Sequence, residues 1–281
     1  MKQLLTIGII LGAASLLACA VSCKRVKNAQ VAKIIDDELN QDLCSQFGGE
    51  LDSFDAGKGV TVDIFSIKHG SLAARVDGKW LYFDPVTAAS QPATDYTDLP
   101  KSDYIFITHG HGDHLDPQAI AQLLKEGTKI ICNPASAEKI TAVEVEGINA
   151  PAVAALANGN NFVTAEGWKV DAVPAYNIAE EKQNFHPKGE GNGYVVKVND
   201  FSLYVAGDTE EIEELSELKD IDVAFLPCNL PFTMTPEQCA TAAKMFSPKV
   251  LFPYHYGETE IQQLVNLLNG TDIEVRIRPY K

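Results

Sequence analysis

Three histidines and an aspartate fall within six consecutive positions: His109, His111, Asp113 and His114. Neutral imidazole nitrogens and carboxylate oxygens suit zinc, manganese or iron. Imidazoles crowded together repel one another once two of them take up protons, and a shared cation removes that conflict. Gly110 and Gly112 carry no Cβ, so the backbone is expected to turn sharply between ligands and to aim neighbouring side chains at two centres. A His-rich surface loop is the plain alternative. The strand-like run Tyr104-Ile105-Phe106-Ile107 leading in, and Leu115-Asp116-Pro117 leading out, argue against it.

The elements that must place these ligands follow from the hydrophobic pattern. Residues 62–68 and 71–76 read as strands ahead of Asp77-Gly78, a hairpin signal, and residues 79–84 return. Residues 104–108 bring the cluster to a sheet end, and 117–125 read as a helix opened by Asp116 with Pro117 in its first turn. A strand at 129–132 precedes Ala-rich helices at 136–141 and 150–157. Hairpins are expected over 162–175 and 193–206. Residues 210–218 read as an acidic helix whose glutamates form a solvated face. Strands at 222–227, 250–253 and 273–277 then alternate with helices at 236–246 and 258–269. Two runs of strands, each followed by helices, suit an α/β chain built as a four-layer αββα sandwich.

His109-Gly110-His111-Gly112-Asp113-His114 matches the His-x-His-x-Asp-His signature of the metallo-β-lactamase superfamily. The chain from about residue 60 to 281 resembles the lactonase-like branch of metal-dependent hydrolases in that superfamily. Leu81-Tyr82-Phe83-Asp84-Pro85 lies upstream of the signature. Ala206-Gly207-Asp208-Thr209, Pro231-Phe232-Thr233-Met234 and Pro253-Tyr254-His255-Tyr256-Gly257 follow it in the family's order. The resemblance implies the same αββα fold, two divalent cations (zinc foremost, manganese or iron as alternatives), and a metal-bound hydroxide. That hydroxide would cleave an ester, lactone, amide or phosphodiester bond of a small-molecule substrate.

By the same resemblance His255 is the last ligand, and Asp208, in a position that also suits a helix N-cap, bridges the two ions. Lactonase-like relatives place a histidine where this chain reads Pro174-Ala175-Tyr176-Asn177. His186 is then the expected substitute, joining His109 and His111 at the first ion, with Asn177 a weak ligand or a donor behind one. Asp113, His114 and His255 take the second ion. Asp113 and Asp208 are the candidate catalytic carboxylates, Asp113 serving as base if one ion binds. His69 aligns with a histidine beside the pocket of related hydrolases, where it orients a ligand, touches substrate or packs in the core. Asp84 is placed to accept the free N–H of a ligand histidine. Tyr176, Tyr254 and Tyr256, by proximity in sequence alone, are candidate oxyanion or substrate donors, with packing the commoner role for such residues. The alternative, motivated by Asn177, is an envelope lipoprotein that binds metal or ligand and has lost turnover.

Composition narrows the partners and the compartment. With 38 acidic against 23 basic residues the formal charge is −15, which repels phosphate backbones and disfavours nucleic acid. Residues 4–21 form an apolar run near the lower length limit for a membrane span, with small residues gathered at its end. Leu16-Leu17-Ala18-Cys19 resembles a bacterial lipobox. The expectation is therefore a signal peptide over 1–18, export to the cell envelope and a lipid anchor on Cys19, with Ala20-Val21-Ser22-Cys23 as a second candidate. Residues 19–59 read as a tether with a short amphipathic helix, and 60–281 as the hydrolase domain. Cys44, Cys132, Cys228 and Cys239 show no Cys-x-x-Cys spacing, and Cys132 and Cys228 read as buried thiols.

Overall fold

Near-continuous apolar runs mark strands that are covered on both faces, and those of this chain lie at the centres of two sheets. The computed structural model of the protein describes residues 40–41, 43–45, 51–88 and 92–280. The signal, lipid-anchor and amphipathic-helix readings at residues 1–39 lie outside them. Two compact units are Met1–Gln46, in which residues 40–41 and 43–45 are helical, and Phe47–Lys281, which holds the sheets. No helix among the described residues is long and apolar enough to cross a membrane.

The first sheet takes its strands in sequence order: β1 (Leu51–Asp55), β2 (Thr61–Lys68), β3 (Ser71–Val76), β4 (Lys79–Phe83), β5 (Tyr104–Ile107), β6 (Lys129–Cys132) and β7 (Ala152–Ala155). The second comprises β8 (Asn161–Val163), β9 (Lys169–Ala175), β10 (Gly191–Val198), β11 (Phe201–Val205), β12 (Val223–Pro227), β13 (Val250–Tyr254) and β14 (Glu274–Val275). Each sheet begins with three antiparallel pairings and continues with three parallel ones. In β5, β12 and β13 every residue is buried. Helices α1 (Pro117–Leu123), α2 (Pro134–Ile140), α3 (Pro236–Phe246) and α4 (Gln262–Leu267) flank the sheets. The result is the αββα sandwich that the order of elements suggests. One hydrophobic core joins residues of both sheets, Phe83, Phe106, Tyr194, Phe225 and Phe252 among them.

Helix starts follow their caps. Asp116 accepts from the amide of Gln118 at α1, Asn133 from that of Ser136 at α2, and Thr235 forms a reciprocal capping box with Gln238 at α3.

The structure departs from the sequence reading in four places. Residues 51–55, expected in the tether, form β1 and pair with β2. Asp52 anchors that strand by accepting from Arg276 and Arg278, at 2.9 Å from Arg276 Nη1. The Ala-rich stretch at 150–157 is no helix: between Pro151 and Asn158-Gly159 there is too little chain to repay helix nucleation, and Ala152–Ala155 pairs with β6 instead. Residues 210–218 hold only the 3₁₀ turn Glu213–Glu217, because their leading glutamates bond to other elements. The helix expected at 258–269 narrows to α4.

Candidate metal centre

Every metal-ligand candidate lies at a strand end or in a loop leaving one. β5 ends at Ile107, and the next seven residues carry His109, His111, Asp113 and His114. His69 sits in the turn between β2 and β3, Asp84 directly follows β4, Asp208 comes three residues after β11, and His255 directly follows β13. His186 lies in the long connection from β9 to β10.

These side chains converge as two sets. His109, His111 and His186 bring three ligand atoms within 4.8 Å of one another, and His69, Asp113, His114 and His255 do the same with four. Asp208 stands between them. Its Oδ2 is 3.2 Å from His186 Nε2 and 3.5 Å from His255 Nε2, while its Oδ1 is 3.4 Å from His114 Nε2. In the first set His109 Nε2 lies 3.0 Å from His111 Nδ1. In the second, Asp113 Oδ2 lies 3.1 Å from His69 Nε2 and 3.5 Å from His255 Nε2.

Asp84 organises the cluster from behind. Its Oδ2 takes His114 Nδ1 at 2.7 Å, and its Oδ1 accepts the Thr108 amide at 2.7 Å. The Thr108 hydroxyl donates to the same carboxylate and lies 3.0 Å from His109 Nδ1. One buried carboxylate therefore fixes, directly or through one hydroxyl, the ring orientation of two histidines and leaves Nε2 of each facing the centre. The amide group of Asn229 stands 3.2 Å from His255 Nδ1 in a comparable position.

The electrostatics divide the histidines. Burial, reinforced by His114, holds the His109 pKa well below the usual range, and burial with His186 nearby lowers that of His111. For His114 burial works against the charged form, but Asp208 and Asp84 outweigh it and raise the pKa well above the ordinary value. Burial would raise the Asp113 carboxyl, yet hydrogen bonds to His255 and His69 and the charge of His114 pull it down, so it stays ionised. An anion held this firmly is a better cation ligand than proton acceptor.

The chemistry of the donor set fits divalent cations. His114 Nε2, His255 Nε2 and Asp208 Oδ1 are all buried, and none makes a hydrogen bond. They lie at 3.4–3.5 Å from one another's groups, an ion-pair distance too long for good hydrogen bonds, and a cation accepting the lone pairs of neutral imidazole and carboxylate would satisfy them.

Asn177 is not among the converging atoms. Its Nδ2 donates to the Phe232 carbonyl at 2.8 Å and lies 3.2 Å from His186 Nδ1, so it ties the His186 loop to the loop after β12. The three tyrosines named as donors are engaged elsewhere. Tyr254 OH accepts the Gly207 amide, Tyr256 OH donates to the Arg278 carbonyl, and Tyr176 OH bonds Glu214. Gly110 and Gly112 are not in the left-handed region, so the turning freedom expected of them is unused. A Cβ on Gly110 would instead sit 3.2 Å from Lys139 Nζ.

Sequence reasoning missed Thr108, Asn229, Lys139, Phe185 and Phe232. Phe185 and Phe232 are exposed, with ring centres 5.2 Å apart at the mouth of the cluster. The signals on offer were the position of Thr108, directly before the histidines, and that of Phe232 within Pro231-Phe232-Thr233-Met234.

A model of a beta-lactamase superfamily domain matches residues 79–256. A UPF0173 metal-dependent hydrolase of Methanopyrus kandleri is 30% identical over 226 residues, covering 74% of this chain and 93% of its own. One from Enterococcus faecalis is 33% identical over 206 residues, covering 69% and 86%. Among solved structures, one described as a metal-dependent hydrolase of Parabacteroides distasonis shares 44% identity at a TM-score of 0.75, covering 83% of this chain and 100% of that one. Igni18, a metallo hydrolase of Ignicoccus hospitalis, shares the fold at 24% identity and a TM-score of 0.63, covering 77% and 94%.

Proposed function

We propose, for a chain that belongs to the metallo-β-lactamase superfamily and is one of its metal-dependent hydrolases, that its two donor sets hold a pair of divalent cations and that it opens an ester, lactone, amide or phosphodiester bond with water. The observation that carries this reading is the convergence of His114 Nε2, His255 Nε2 and Asp208 Oδ1, all buried and without hydrogen-bond partners, between the two sets. Bound there, zinc, manganese or iron supplies a Lewis acid for the substrate oxygen and brings the pKa of a water from about 15.7 toward 7.

The chain's own residues do the rest. His109, His111 and His186 would hold the first cation and Asp113, His114 and His255 the second, with His69 a further donor on that side and Asp208 placed between the two sets. Asp84 keeps His114 and, through Thr108, His109 in the tautomer that offers Nε2. Asp113, with 41% of its side chain exposed, borders the open side, while Asp208 is closed off from solvent. Asp113 Oδ2, 3.1 Å from His69 Nε2 and 3.5 Å from His255 Nε2, faces the second donor set, which supports its role as ligand. The reading without turnover drew on Asn177. With His186 beside His109 and His111 that motive lapses. Leu16-Leu17-Ala18-Cys19 supports action at the cell envelope, with Cys19 the point of attachment.

The test is a panel of aryl esters, lactones, amides and bis-aryl phosphodiesters, run on metal-stripped protein and on protein reloaded with zinc, manganese or iron. Turnover should appear only on reloading and vanish in His109→Ala and Asp208→Asn. Protein that holds two ions and cleaves nothing in the panel would refute the proposal.

A further inference from the structure

The metal cluster opens into two cavities, of about 200 and 240 Å³, which share His111, Phe185, His186 and Asp208. A cavity of about 150 Å³ suffices for benzene, so each can seat a ring-sized part of a substrate. The two differ in character. Gly110, Asn133, Lys139 and Glu190 wall the first; His69, Asp113, Asn229 and Phe232 wall the second.

Among the described residues Lys139 is the one lysine or arginine lining either cavity. It reaches from α2 across the signature, and its Nζ donates to the Gly110 carbonyl at 2.8 Å. Among the described residues it meets no carboxylate at ion-pair distance. Its exposed charge is thus placed beside the cluster with no counter-ion among the described residues. The buried hydroxyl of Ser136, one turn earlier on α2, has no hydrogen-bond partner and would lie 3.5 Å from a Cβ on Gly110.

The second cavity, otherwise polar, carries an aromatic pair at its mouth. Phe185 and Phe232 meet edge to face, and with Ile178 and Leu230 they make up four of the five exposed large hydrophobics among the described residues. Apolar surface gathered at the rim of a polar cleft is a mark of ligand contact.

We propose that the substrate is amphipathic, a singly charged acid whose anionic group meets Lys139 in the first cavity while its apolar chain or ring lies on Phe185 and Phe232. Glu190 in the same cavity, and the net charge of −15, disfavour a second negative charge. The assignment rests on the hydrolytic reading of the cluster for its orientation, since the bond to be opened would then lie between the two arms. Lys139 is a specificity-determining residue in this scheme and takes no part in bond cleavage.

The experiment measures binding with compounds that the protein cannot hydrolyse. Zinc-loaded protein is titrated calorimetrically with 4-oxo-4-phenylbutanoate and with butyrophenone, which has the same skeleton and no charge. The acid should bind about tenfold tighter, the size of one charge-assisted hydrogen bond. Lys139→Ala should abolish that preference, Lys139→Arg keep it and Glu190→Gln enlarge it. Phe232→Ala should weaken both compounds alike. No preference in the native chain, no binding of either compound, or a preference that survives Lys139→Ala because the carboxylate sits on the metal, would each overturn the proposal. Failure of the hydrolytic reading shows separately, as absent metal-dependent turnover while the binding preference stands.

Discussion

The backbone amide of His255 donates to the carbonyl of His69 at 2.9 Å, and both residues hold the same left-handed φ of 49°. Their rings lie 3.8 Å apart, so the turn after β2 and the end of β13 meet on two candidate ligands. For non-glycine residues this backbone costs of order 1–3 kcal/mol each, a strain kept where geometry is needed.

Replacing His69 therefore separates strain from ligation. His69→Gly should leave the melting temperature near the native value in metal-free protein, since lost packing is offset by relief at φ 49°. His69→Ala should be less stable than His69→Gly by about 1 kcal/mol. Both should weaken the second cation by about tenfold or more, read by competition with a chromogenic chelator.

Asp84→Asn keeps the shape of the group that holds His114 and Thr108 but weakens its acceptor for the His114 Nδ1 proton. Metal affinity should fall by about 10–100-fold with the fold intact. Thr108→Val, which removes the hydroxyl's bonds to Asp84 and His109 but leaves His114 on Asp84, should have the smaller effect on the same titration.

The Glu210 side chain is fully buried. It accepts from the amides of Ile178 and Ala179 at 2.8 and 2.7 Å and from Lys182 Nζ at 2.8 Å, fastening the loop that carries Phe185 and His186. Burial opposes its charge, but these donors prevail and lower its pKa below the usual 4.5. A depressed carboxyl contributes stability that is full above pH 4.5 and is lost as the pH falls through the folded value. Hydrogen-exchange protection factors in residues 176–187, taken against the intrinsic rate at each pH, should fall on acidification below that point. Glu210→Ala should show the loosened loop at neutral pH and cost about 3 kcal/mol in denaturant melts.

Removing cations should destabilise the whole unit. Free zinc at about 100 times its Kd stabilises the folded state by about 2.7 kcal/mol. For a chain of this size that corresponds to a drop on the order of 5–10 °C in the melting temperature on adding a chelator, checked by scanning calorimetry. An unchanged melt would count against cations at this cluster.

How much of this was legible depended on distance along the chain. The run from His109 to His114 is contiguous and follows an apolar strand, so its type and spacing declared it. His186 was reachable only because the chain has six histidines and few remained to assign. A place for Asn177 behind a ligand was among the expected alternatives, and it lies 3.2 Å from His186 Nδ1, but its second bond was not legible, since that goes to Phe232, 55 residues away. The glutamates at 210–218 looked solvated because Lys182, the partner of Glu210, lies 28 residues upstream. Alanines at 152–155 carry helix propensity, and pairing with β6 overrode it. Phe185 and Phe232 resemble core residues, and Lys139 an ordinary surface lysine, until the loops set them beside the cluster.

The two sheets repeat one pattern of pairings, and the candidate ligands are shared between them. His69, His109, His111, Asp113 and His114 leave the first sheet; His186, Asp208 and His255 leave the second. A chain cut between β7 and β8 would give two pieces, each with an incomplete grip on metal. The ions would then act as a clasp, drawing the pieces together when present and letting them part when stripped away.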